Sequence, residues 1–268
     1  MKARASSITK FEDGVLNEDA VYASASCIAV SDGAGGGGVF AERWSHYLVY
    51  NLPSTPITTF EGLDGWIESI WERFYNECEQ WAKKQKDGMF LKKFYDEGSF
   101  ATLAAIWLTD EGMCWMAYGD SVVFHYNRRT KILEHTFTKL ADFNKPPYLI
   151  NCKDPLQPEG FRCGTFSGDR DSVFIVTSDT LAHYILMMYL VTHKDNMGEE
   201  LNKAIEAKSK NSQLVETATA LPRVRFERDV IDKLVHCAGH QSNLTRYLQA
   251  LRRKGLVGHD DYSIAVMH

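Results

Sequence analysis

The sequence is short of the signatures that mark secreted, membrane and nucleic-acid-binding proteins. Its six cysteines (Cys27, Cys78, Cys114, Cys152, Cys163 and Cys237) form no CxxC pair and no zinc-like spacing with histidine. They read as reduced thiols in a reducing compartment. No run approaches the roughly 18 apolar residues of a membrane span, and the opening MKARASSITK lacks the apolar stretch of a signal peptide. Positive charge is in deficit: 30 Lys and Arg against 35 Asp and Glu leave a net charge of −5. That argues against a nucleic-acid-binding surface as the main business. Neither GxSxG nor a Cys-centred phosphate loop is present to supply a covalent nucleophile. A cytoplasmic protein with no membrane and no nucleic-acid partner is expected.

What the chain does have is a 44% hydrophobic, 24% charged composition ordinary for a globular protein. Its 268 residues show no internal repeat, no low-complexity linker and no composition break, so one domain over 1–268 is expected. The most informative stretch is Ile28–Gly38, IAVSDGAGGGG. A short apolar run delivers Ser31 and Asp32 to its end and then breaks into glycine, as a buried strand feeding an open loop would. A phosphate loop of the GxxxxGK[ST] kind is excluded, because no Lys follows the glycines. A dinucleotide loop can be traced through Gly33, Gly35 and Gly38, but no other βαβ unit supports it. A third reading makes Asp32 a ligand of a hard cation such as Mg²⁺ or Mn²⁺, and requires further acids at other strand ends. A tight glycine turn with a solvated Asp is the plain alternative.

The rest of the chain alternates two patterns. Val21–Val30 reads as one long strand or two short ones, preceded by the acids of Leu16-Asn17-Glu18-Asp19. Val39–Leu52 and Leu63–Lys86 carry apolar residues at helical spacing; Trp66, Ile67, Ile70, Trp71, Phe74, Cys78 and Trp81 form a stripe better suited to a core than to a cofactor. Ser99–Leu108 reads as a buried strand, and Thr109–Gly112 as a hairpin turn. Met113–Tyr118 follows, with Val122–Tyr126 expected to continue the same strand past Gly119-Asp120-Ser121, and Lys131–Thr136 to pair back. Short strands joined by tight turns indicate an antiparallel meander. Lys139–Phe166, with four of the seven prolines, is expected to be a long surface loop or flap. Ser167–Arg170 reads as a turn. Ser172–Thr177 is a buried strand ending on Ser178-Asp179, which repeats the pattern at Ser31-Asp32. Helices are predicted over Thr180–Thr192, Lys194–Lys210, Arg228–Gly239 and Ser242–Arg253, and a last strand over Ile264–Met267, after His259-Asp260-Asp261. His46, His183 and His193 fall on or at the ends of predicted helices and read as structural.

Acids therefore recur at strand ends: Glu18 and Asp19, Asp32, Asp120, Asp179, and Asp260 with Asp261. Gathered at one rim of a sheet core, they would repel one another and be pushed toward protonation unless divalent cations joined them. Hard cations suit such oxygen ligands, whereas zinc would want His or Cys that these motifs lack.

The ordered set Asn17-Glu18-Asp19, Asp32-Gly33-Ala34-Gly35-Gly36, Gly98-Ser99, Gly119-Asp120-Ser121, Ser178-Asp179 and Asp260-Asp261-Tyr262-Ser263 resembles the metal-dependent protein serine/threonine phosphatases of type 2C, from about residue 13 to the C-terminus. The resemblance implies an α+β fold, a four-layer α/β/β/α sandwich with two central antiparallel sheets flanked by helices. It implies two Mn²⁺ or Mg²⁺ ions and a third, weaker one. By motif, Asp32 would bridge the two ions, the Gly33 carbonyl and Glu18 would hold one, Asp179 and Asp260 the other, and Asp120 the third. Asp32 and Asp179 are the residues on which catalysis would depend most. The reaction implied is hydrolysis of phosphoserine and phosphothreonine in proteins by a metal-activated water. The implied partners are a phosphorylated protein and an opposing serine/threonine kinase. A catalytically weak or inactive relative that binds phosphoproteins or another partner is the alternative. The chain departs from the family pattern in four places. Gly14 stands where many relatives have a phosphate-gripping Arg, with Lys10 and Arg43 as the substitutes to consider. Ala34 stands where some have His; Thr180 follows Asp179 where Gly is usual; and Asp261 follows Asp260 where Asn is usual, expected to add an acid beside the metals.

Overall fold

A computed structural model describes residues 1–268. One antiparallel sheet orders β1 (Ala3–Ile8), β12 (Tyr262–Met267), β11 (Ser172–Thr177), β7 (Val122–Asn127) and β8 (Ile132–His135). The other orders β10 (Phe161–Phe166), β6 (Gly112–Tyr118), β5 (Leu103–Thr109), β3 (Cys27–Ser31) and β2 (Ala20–Ala23). A short ribbon joins β4 (Phe100–Ala101) to β9 (Ile150–Asn151). Helices α1 (Ala41–Tyr50), α2 (Phe60–Gln85) and α3 (Gly88–Glu97) cover the second sheet. Helices α4 (Asp179–Thr192), α5 (Lys194–Glu206), α6 (Ser212–Thr219), α7 (Asp232–Cys237) and α8 (Gln241–Arg253) cover the first. This is the four-layer α/β/β/α sandwich expected from the resemblance.

The two-residue period of a strand explains why the apolar runs look continuous. In β3, Ile28 and Val30 face the seam between the sheets, while Cys27 and Ala29 face α1 and α2. In β11, Phe174 and Val176 face the seam, while Val173 and Ile175 face α4. Both faces are buried, so both alternating sets are apolar. Helix α4 is enclosed in the same way, with Leu181 to Met188 buried on every side, which is why its sequence lacks a polar stripe.

Three sequence expectations change. Met113–Tyr126 is not one interrupted strand: β6 and β7 lie in different sheets, and 119–121 is the crossover between them. Gly119-Asp120-Ser121 breaks the pattern because the chain turns a corner there. Lys139–Phe166 is only partly loop, since Phe161–Phe166 pairs along its length with β6. Its residues alternate between half-buried and exposed, so the apolar signal of a strand is weak. Strand β1, with α3 and α6, was not foreseen. ARASSI packs an alternating set too small and polar to read as a strand, held instead by pairing with β12 from Ala3↔Met267 to Ile8↔Tyr262.

Strand registers set up the site. Ala20 pairs with Ser31, Val30 with Ala104, and Leu103 with Tyr118, so one end of the second sheet collects residues 19, 32, 102 and 119. Thr177 pairs with Val122 and with Ile264, so the matching end of the first collects 121, 178 and 263, with Asp260 and Asp261 just before β12. The crossover at 119–121 makes these a single rim.

Candidate metal centre

At that rim Glu18, Asp32, Asp120, Asp179 and Asp260 line one cleft of about 340 Å³, with Gly33 and Lys10. Pro147 and Leu149, from the segment before β9, close one side. Larger cavities exist elsewhere, such as one of about 530 Å³, but that one shares only Asp179 and Asp260 with the acid set. Chemistry, not size, distinguishes the smaller cleft.

Each acid is positioned by its surroundings. Glu18 is held by its backbone: its N–H donates to Asp261 Oδ2 at 2.7 Å. Its carbonyl accepts from the Gly33 N–H at 3.1 Å and from the Ser45 hydroxyl of α1 at 2.5 Å. Two glycines are required by this arrangement. A Cβ on Gly33 would lie 2.4 Å from the Glu18 carbonyl oxygen, and one on Gly35 would lie 1.9 Å from Glu18 Oε1. The glycine run thus lets backbone wrap closely round a carboxylate. Asp32 leaves the end of β3 over a hydroxyl network. Its N–H donates to Thr102 Oγ1 at 3.3 Å and its carbonyl accepts from the Thr102 N–H at 2.8 Å. Thr102 Oγ1 lies 2.7 Å from the Ser121 hydroxyl, and Ser31 Oγ donates to the Thr102 carbonyl at 2.6 Å. This network ties β3, β5 and the crossover together beneath Asp32. Asp179 is the first residue of α4, where the helix N-terminus favours negative charge; its Oδ1 accepts from the Thr180 N–H. Asp260 is exposed at the outer lip and accepts from the Asp261 N–H at 2.9 Å.

The electrostatics follow from crowding. Burial, then Asp19, Asp179, Asp120 and Asp260 in turn, push Asp32 well above the usual carboxylate range. Burial and the neighbouring Asp179 push Asp120 up to about 7, against the pull of Arg162. Burial and Asp260 push Asp179 up to about 6. Burial raises Glu18 too, and Lys10 opposes it. Behind the cleft Asp19 is almost fully enclosed, and burial pushes it up to about 8. Its Oδ2 has no hydrogen-bond partner. Asp19 was visible in the sequence only as the neighbour of Glu18; its burial follows from pairing of Ala20 with Ser31 and had no sequence signal.

The donor set fits hard divalent cations: carboxylates and backbone oxygen, with no His or Cys in the cleft. The mutual repulsion of the cleft's carboxylates is what such ions would relieve. No three Asp, Glu, His or Cys side chains stand close enough together to hold one ion in common. Mg²⁺-like ions ask less than that, since they usually keep several waters and take only one or two carboxylates each.

Two expectations about neighbouring residues are corrected. Asp261 adds no acid to the cleft: it is buried, and its two oxygens accept the N–H groups of Lys10 (2.7 Å) and Glu18 (2.7 Å). It clips the β1–β2 connection to the last strand. Arg43 is not at the site; its guanidinium lies over Phe40 (5.2 Å) and Trp81 (4.7 Å) on the helical layer. His259, beside Asp260, pairs with Glu12 at 2.7 Å and lines the adjoining cavity, which shares Asp179 and Asp260 with the cleft. Gly14 is exposed, with nothing within 4 Å of where a Cβ would be.

No protein-family model matches the chain, and no curated protein matches its sequence. Solved structures do match its fold. The catalytic domain of the serine/threonine phosphatase PstP in complex with two manganese ions is 16% identical, with a TM-score of 0.53 over 99% of this chain and 96% of that one. The PPM Ser-Thr phosphatase MsPP of Mycobacterium smegmatis, in complex with cacodylate, is 14% identical, with a TM-score of 0.52 over 99% and 97%. PppA, a regulatory component of the type VI secretion system in Pseudomonas aeruginosa, is 15% identical, with a TM-score of 0.53 over 99% and 96%. The chain has the fold of the metal-dependent serine/threonine phosphatases over its whole length.

Proposed function

We propose that this chain is a metal-dependent phosphatase acting on phosphoserine and phosphothreonine in proteins. The observation that carries the reading is the convergence of Glu18, Asp32, Gly33, Asp120, Asp179 and Asp260 on a single cleft from five separate stretches of chain. Asp32, over its hydroxyl network and crowded by the other acids, would hold both of two Mn²⁺ or Mg²⁺ ions. Glu18 and the Gly33 carbonyl would hold one ion, Asp179 and Asp260 the other, and Asp120 would support a third, weaker one. The chemistry such ions supply is acidification of a water near neutral pH and neutralisation of charge on the phosphoryl oxygens. The protein's own part is to gather these carboxylates at one rim, where burial and crowding disfavour their ionised form until cations join them. With Ala34 next to Gly33 and no histidine lining the cleft, the leaving group would take its proton from water or from another donor.

The substrate is a phosphorylated protein, and a serine/threonine kinase is the reaction class that supplies it. A second reading, a phosphoprotein-binding module without turnover, is favoured by one feature: the exposed Gly14, which offers no side chain to the cleft. Hydrolysis of p-nitrophenyl phosphate and of a phosphoserine peptide with Mn²⁺, and after EDTA, tests both. Turnover that EDTA abolishes supports the enzyme. Mn²⁺ binding with no turnover supports the binding module.

A further inference from the structure

The acid cleft contains one basic side chain. Lys10 lines it with Glu18, Asp32, Asp120, Asp179 and Asp260. Its backbone N–H is fixed on Asp261 Oδ1 at 2.7 Å, so the root of the side chain is anchored to the last strand. The same carboxylate holds the Glu18 N–H, and this couples the placement of Lys10 to that of a candidate ligand. Its side-chain amine, by contrast, has no ion pair and no hydrogen bond, although it is near enough to attract Glu18 electrostatically. A second cation, Arg162, attracts Asp120 but lies outside the lining of the cleft: its guanidinium donates to the Gly119 carbonyl and lies over Phe137 at 5.5 Å.

A lysine left unpaired among carboxylates has two available roles. It can serve as a fixed counter-ion for the acids, or it can wait for an anion that arrives once they are neutralised. A counter-ion would be seated in an ion pair, and Lys10 has none. We propose that the Lys10 ammonium group binds the phosphoryl oxygens of the substrate at this cleft, an inference that rests on the phosphatase reading of the same site. An ammonium carries three donors and no acceptor, and binds phosphate as a point charge. It thereby supplies grip on the phosphoryl group without an arginine.

The roles differ in what their loss does. Loss of a phosphate ligand weakens phosphate binding and leaves Mn²⁺ affinity equal or higher. Loss of a counter-ion to the acids likewise leaves Mn²⁺ affinity equal or higher but spares phosphate, and loss of a structural clip weakens both. The test compares Lys10→Met and Lys10→Arg with the unsubstituted protein by calorimetry, titrating Mn²⁺ into stripped protein and inorganic phosphate into Mn²⁺-loaded protein. Kinetics on p-nitrophenyl phosphate run alongside. In Lys10→Met the phosphate Kd is expected to rise roughly tenfold or more, as for loss of a hydrogen bond to a charged group. Its Mn²⁺ affinity should stay equal or rise. KM should rise with kcat changed less, the mark of lost uniform binding, and Lys10→Arg should recover most of the phosphate affinity. Three results overturn the inference: unchanged phosphate binding in Lys10→Met, Mn²⁺ affinity falling in parallel with phosphate affinity, or a Mn²⁺-loaded unsubstituted protein that binds no phosphate. Weakened phosphate binding in Lys10→Met without turnover in any form supports the role of Lys10 and sinks the hydrolytic reading alone.

Discussion

Two groups of charged residues lie at different places in this fold. Beside the β7–β8 turn, Arg128 reaches Glu227 at 3.0 Å and Asp232 at 2.6 Å, and Lys131 adds a second cation to Glu227. Burial pushes Glu227 up, but Lys131 and Arg128 outweigh it and hold its carboxyl below the ordinary value. At the rim, five acids share a cleft with one unpaired lysine, and Asp32, Asp120 and Asp179 are all driven up. The first group is complete within the protein and fastens two segments together. The second is incomplete without something cationic from outside. The same contrast recurs between neighbours: Asp261 is satisfied by two backbone N–H groups, and Asp260 opens on the cleft. An acid's partners, not its type, separate structure from site.

Perturbing the two groups should give unequal results. The largest expected effect is at Asp32. Asp32→Asn should lower Mn²⁺-dependent hydrolysis of p-nitrophenyl phosphate on the order of a hundred- to a thousandfold, the scale of losing a key electrostatic group. Glu227→Gln should leave kcat/KM within about twofold, because surface pairs seldom reach a distant site. Equal losses at both would erase the distinction. Next comes Gly35→Ala, whose Cβ would meet the Glu18 carboxylate. Displacing that ligand should weaken Mn²⁺ binding roughly ten- to a hundredfold, by analogy with disturbed ligand support, measured by titration. Unaltered affinity would mean that Glu18 holds no ion.

A third effect is in pH dependence. Acids raised by folding bind more protons folded than unfolded, so they cost stability as pH rises from the unfolded value toward the folded one. For Asp19 and Asp120 that window runs from the ordinary carboxylate value of 3.8 to about 8 and about 7. Buried His183, lowered to about 4, acts oppositely below its ordinary 6.5. Between about pH 6.5 and 8 only the acids remain, and the stripped protein should lose a few degrees of Tm, given about 2–4 °C per kcal/mol for a chain of this size. Mn²⁺ should flatten or reverse the trend. A stripped protein equally stable across that range would show that the acids are already compensated. The smallest effect is the stability cost of Glu227→Gln, about 1 kcal/mol or less by urea denaturation.

Much of this contrast was legible in the sequence, and its limits are physical. Strands β3, β5, β11 and β12 are buried on both faces, so their apolar runs stand out, and acids at their ends mark where a rim lies. Nothing local marks the partner of each acid. Asp260 and Asp261 are indistinguishable as letters; only the fold brings the Lys10 and Glu18 N–H groups to one of them. Arg43 and Lys10 were equivalent substitutes on paper, and tertiary placement separates them. The Thr102–Ser121 contact beneath Asp32 joins residues 19 positions apart, on either side of a β-hairpin. Strand β1 was missed because its pairing, not its composition, holds it.

The most direct test of the account is a calorimetric titration of Mn²⁺ into EDTA-stripped protein, with Asp32→Asn in parallel. The account predicts about two ions per chain at the rim and loss of the tight binding in Asp32→Asn, with the fold retained by circular dichroism. No saturable binding, or identical isotherms for the two proteins, would contradict it.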